Sequence, residues 1–186
     1  MVWRPMPRCR HHGTVPADFL IVSAAHAVPT SAGYTVLLLA HVASALVGFG
    51  AIGLTGAYGA AAAKGPDGPR ADAVARYFRP GVNWAGRALY GVPVFGFGLL
   101  AASRGAFTSH DAFVVLGLVL WLVAAAGAEL VVWPAERRIQ VIVTRDWGRT
   151  PGRSASLARD CRAVVGGSVV LVAVFVAASV TMVGKP

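Results

Sequence analysis

Charge is scarce in this chain. Only 13% of its 186 residues are Asp, Glu, Lys or Arg, about half the share of an ordinary soluble domain. Acidic residues are rarest, eight against seventeen basic ones. Cysteine is nearly missing: Cys9 and Cys161 stand alone, with no CxxC and no Cys/His spacing, which argues against a disulfide scaffold or a zinc module. GxSxG, a phosphate loop, HExxH and a dinucleotide fingerprint are all absent. The many glycines lack the strand-to-helix context that a nucleotide site requires. No residue pattern points to a reaction, and the reading is non-enzymatic.

In place of charge the chain has four long apolar runs. Tyr34–Ala63 carries no charged residue over thirty positions. At 1.5 Å of rise per residue it is long enough to cross a hydrocarbon core about 30 Å thick. Trp84–Ala102, Ala112–Trp133 and Ala163–Val183 follow. The last is rich in valine, but its 21 residues exceed the three to ten of an ordinary strand. The expected fold is all-α, a polytopic four-helix transmembrane bundle over residues 34–186, with the lipid bilayer as its surroundings. Helical spacing places Gly50, Gly53, Ala57 and Ala60 on one face of the first span. His41, Ser44, Ala45, Gly48, Thr55 and Gly59 lie nearly opposite. Small residues let backbones approach closely inside a membrane, so this helix is expected to be central. Pro93 should bend the second span by removing a bond to Leu89, with Gly91, Gly96 and Gly98 allowing close packing there.

Residues 1–33 form a basic tail with a short apolar run, Phe19–Val28, that is broken by His26. It reads as a floppy extension or over-called start, or as a poor signal peptide. The His11–His12 pair could hold a metal weakly. Between the first two spans, Lys64-Gly-Pro-Asp-Gly-Pro stops the helix. Arg70–Arg79 then spaces Ala71, Val74, Ala75 and Phe78 as a short amphipathic helix on the membrane surface, or as a solvated linker. Pro134 should end the third span, leaving Ala135–Arg162 as a basic loop in which Ser154 or Ser156 could cap the last helix. The net charge of +9 resides in these connectors, where it suits anionic lipid and topology better than nucleic acid. Twelve basic residues fall on the side of the two long loops and five on the other. The positive-inside bias puts both loops in the cytoplasm of a cell (inner) membrane and both termini outside. That also separates Cys9 from Cys161 across the bilayer.

Three ionisable side chains fall within the hydrocarbon, where they are costly and mark function by default. His41 lies roughly 10 Å below the outer end of the first span. A neutral imidazole there could ligate haem iron, copper or zinc, relay a proton, or bond to a neighbouring helix. Bis-histidine haem needs a second ligand, and His110, on the same side, is in a loop. Arg87 is three residues past Trp84, and Glu129 is four before Trp133. Both sit roughly 5–6 Å inside the same interface, so an ion pair between spans two and three is expected.

Three stretches carry a family likeness: Leu37-Leu-Leu-Ala-His41 with the glycine-rich run after it, the third span closing in Pro134 and Glu136-Arg-Arg138, and the terminal Thr181-Met-Val-Gly-Lys-Pro186. Over Tyr34–Pro186 the chain resembles the bacterial integral-membrane family filed as domain of unknown function number 2269. That resemblance implies a small four-span membrane protein without an established activity. Its first-span histidine is similar to that of copper-resistance CopD-type and protoporphyrinogen-oxidase-like membrane proteins, which are associated with copper or haem. Three roles follow as expectations: an accessory or structural component packing with itself or a membrane partner; a haem- or copper-binding redox protein using His41; and a small oligomeric transporter using Glu129 and Arg87.

Overall fold

The computed structural model describes residues 31–145, 147 and 151–184, with side chains from 155 onward in the last stretch. The tail with Cys9, His11, His12 and His26 lies outside the described residues. Among those described, the chain is all-helical. Seven helices follow in order: α1 Ala32–Ala62, α2 Ala71–Tyr77, α3 Trp84–Arg87, α4 Gly91–Ala102, α5 Ala112–Gly127, α6 Trp133–Arg145 and α7 Pro151–Gly184. A 3₁₀ turn, Ala88–Tyr90, joins α3 to α4, and a π turn, Ala128–Val132, joins α5 to α6. Four helical stretches are long and apolar enough to cross a membrane: Ala32–Ala62, Trp84–Ala102, Ala112–Arg145 and Ala155–Gly184. Val36, Leu39, Leu130, Val169 and Val180 are each more than 60% exposed. Such a surface has a low free energy only in lipid, and the molecule is a multi-pass membrane protein.

α1 begins at Ala32, two residues before the apolar run, because the Ser31 side chain accepts from the Tyr34 amide at 3.3 Å. It packs between α7 on one side and α3–α4 on the other. Small residues make both approaches possible. A Cβ on Gly48 would fall 2.6 Å from the Leu89 amide nitrogen, and one on Gly56 would fall 2.6 Å from the Ser168 Cβ. Ser168 Oγ donates to Ile52 O at 2.8 Å and ties α7 to α1. Gly50, Ala57 and Ala60, on the other small-residue stripe, are exposed.

The second span is broken one turn before Pro93. Pro93 has no N–H to give Leu89 O, four residues back. The indole Nε1–H of Trp121 donates to that carbonyl at 3.0 Å instead, so α5 satisfies the group that the proline leaves open.

Two connectors differ from the sequence reading. Pro134 does not end the third span. Trp133 donates to Ala128 O, five residues back, and α6 continues to Arg145. The wider π turn moves the carbonyl that the proline ring would strike, so helix persists on both sides. The basic loop is therefore a helical hairpin, whose second arm starts with Pro151 inside the first turn, a position where its missing N–H costs nothing. Ser154 and Ser156 lie within α7 and not at its cap. α2 also differs in setting: Val74 and Phe78 are fully buried, packed with Ala62, Ala135, Ile139, Leu157 and Cys161. Its apolar face meets protein, not lipid. This cluster adds a small core beyond the membrane level to the one formed by Phe49, Ile52, Leu89, Ala124, Val132 and Leu171.

Candidate functional site

Spans two and three run antiparallel, and their aromatic interface residues bring Arg87 and Glu129 to one level. Arg87 Nη1 donates to Glu129 Oε1 at 3.0 Å. The Tyr90 hydroxyl donates to the same oxygen. The Arg87 guanidinium also lies 3.7 Å above the Trp133 ring centroid, a stacking geometry that favours a planar cation. Glu129 sits on the π turn. One carboxylate oxygen thus joins the 3₁₀ turn of one span to the π turn of the next.

His41 is at the other end of α1. Its Nδ1 lies 2.8 Å from Val92 O. A carbonyl only accepts, so Nδ1 carries the proton and Nε2 holds the lone pair. The ring fits because α4 is bare opposite it: a Cβ on Gly96 would lie 3.3 Å from His41 Cε1, and Gly91 and Gly98 similarly face Ser44 and Leu37. A backbone bond of this type is how metal-ligating histidines are oriented. Yet no group of three or more His, Cys, Asp or Glu side chains converges among the described residues. His110 is exposed in the turn before α5. Among the described residues the chain offers haem or copper the single Nε2 of His41 and no clustered ligand set around it.

Between α1, α2 and α6 lies a polar network that the sequence reading missed. Thr55, 1% exposed, donates to Ala51 O at 3.0 Å. Its oxygen then accepts from the Tyr77 hydroxyl at 2.7 Å and from Asn83 Nδ2 at 3.3 Å. The same Asn83 amide donates to Glu136 Oε1 at 3.3 Å, and Gln140 Nε2 donates to Gly81 O at 3.3 Å. Burial pushes the Tyr77 phenol above its usual range, against the pull of its Thr55 bond, so it stays a neutral hydroxyl at physiological pH. Below these residues Arg138 Nε donates to Asp160 Oδ1 at 2.9 Å, joining α6 to α7. The signal that could have found Glu136 is its position seven residues after Glu129, close to the same helical face. Reading Pro134 as a helix end concealed it. Cys161 is free and buried.

No family model matches the chain, and no curated protein or solved structure matches it either.

Proposed function

We propose that the protein is a non-catalytic, accessory or structural component of the cell membrane that packs with a second copy or another membrane protein. One observation carries this reading: the intramembrane ionisable groups are used as ties between helices. Arg87 and Glu129 hold each other, and His41 holds Val92 O. Their mutual engagement disfavours the transporter reading, in which those groups would instead meet a substrate or ion. The stripe Gly50, Ala57 and Ala60 remains exposed on α1, with the close-packing chemistry that another span would use. The likeness to the domain-of-unknown-function family belongs to this proposal and adds no activity to it. The excess of arginine around α2 and the α6–α7 hairpin supports placing that end in the cytoplasm.

Cross-linking and native mass spectrometry of protein extracted in mild detergent test the reading, with a dimer or a co-purifying membrane protein expected. A strict monomer without a partner overturns it. The free Nε2 lone pair of His41 favours a second reading, in which two copies supply a haem or copper site. Absorption and metal analysis of the same preparation separates the two. A Soret band or stoichiometric copper that is lost in His41→Ala supports the second.

A further inference from the structure

Glu136 is 5% exposed, and the one hydrogen bond it accepts among the described residues comes from Asn83 at 3.3 Å. No Lys or Arg lies within ion-pair distance of it among the described residues, because Arg87 is engaged by Glu129 and Arg138 by Asp160. A buried carboxylate so poorly matched is costly. It borders a cavity of about 180 Å³ lined by Tyr77, Arg79, Gly81, Asn83 and Gln140. The acceptors there are also under-used. Gln140 donates through Nε2 and keeps its carbonyl oxygen free among the described bonds. The Tyr77 hydroxyl gives its proton toward Thr55 and keeps its lone pairs.

We propose that this cavity binds a small zwitterion, its primary ammonium against Glu136, Gln140 and Tyr77 and its anionic group against Arg79. A primary ammonium offers three donors, which suits the three acceptor-bearing side chains that line the cavity. A bare calcium ion needs six to eight oxygens at about 2.3–2.6 Å, more than this lining supplies. Arg79 lines the same space and is exposed, so a purely cationic ligand is disfavoured and one with an adjoining anion is selected. Depth narrows the source. Asn83 directly precedes Trp84 and Glu136 is three residues past Trp133, which puts the cavity at the level of lipid headgroups. An ethanolamine phospholipid carries this pair of groups, and so does a soluble aminophosphate.

The test uses the full-length chain in nanodiscs of mixed phosphatidylethanolamine and phosphatidylcholine, with retained lipid read by native mass spectrometry. Phosphatidylethanolamine is expected to be retained about tenfold over phosphatidylcholine, whose quaternary ammonium cannot donate. Glu136→Gln should abolish the preference. Arg79→Gln, at an exposed position that does not threaten folding, should weaken it. In a second arm, soluble phosphoethanolamine is added to protein in phosphatidylcholine discs. A raised melting temperature there, without a lipid preference, assigns the site to the soluble ligand. The proposal is overturned if neither arm responds, or if the preference survives Glu136→Gln. Should Glu136→Gln fail to fold, stepwise mono- and di-N-methylation of the headgroup on wild-type protein decides the same question: retention should fall as donors are removed, and retention indifferent to their number overturns the proposal.

Discussion

Arg87 shows what a single side chain can do at a membrane interface. It satisfies Glu129 and stacks on Trp133 at once, so the two contacts should separate by mutation. Glu129→Gln is expected to lower stability by about 1 kcal/mol, since the pair is partly open to its surroundings. Arg87→Gln should cost more, because the stack on Trp133 is lost as well. Melting curves in mild detergent measure both, and the double variant should lose less than the sum. Tyr77→Phe leaves Thr55 with one donor fewer and should cost about 1 kcal/mol in the same assay. The Arg87–Glu129 juxtaposition was legible because each residue sits a counted distance from an aromatic interface residue. Thr55, Tyr77, Asn83 and Gln140 were not. Neutral polar side chains fit helix, loop or core alike, and only their three-dimensional neighbours show what they bind.

At the scale of elements, glycine position decides the outcome of a common substitution. Gly48→Ala would drive a methyl into the Leu89 backbone, which has no rotamer to yield. Loss of most folded protein is expected, read by size-exclusion chromatography in detergent. Gly50→Ala meets nothing within 4 Å. Within a single chain it should be neutral or stabilising by about 0.5–1 kcal/mol through backbone entropy, any loss falling on association with a partner span. The four spans were legible from apolar length alone, and the seat of α1 from its small residues. The α6–α7 hairpin was hidden by two habits of reading. A proline was taken as a terminus although a π turn can absorb it, and arginine density drew attention from Ile139, Val143, Leu157 and Cys161, which recur at helical spacing and are buried together. α2 was legible as an amphipathic helix, but periodicity does not say whether an apolar face meets lipid or protein.

For the whole molecule, charge asymmetry predicts that the arginine-rich end faces inward, and reporter tags check that prediction. Tags within residues 64–83 and at 147 are expected to report cytoplasm, and one in the turn between α4 and α5 the opposite side. The helices are also unequal in length. α5 through α6 and α7 each run for 34 residues, about 50 Å, whereas the hydrocarbon they cross is about 30 Å thick. Their surplus is gathered at one end, clasped by Arg138–Asp160 and by the core beneath α2. A rigid knob of this sort stands clear of a detergent belt. For a 19.2 kDa protein otherwise sunk in its micelle, it gives electron micrographs an asymmetric landmark for particle alignment, and it gives an antibody fragment a structured epitope to grip.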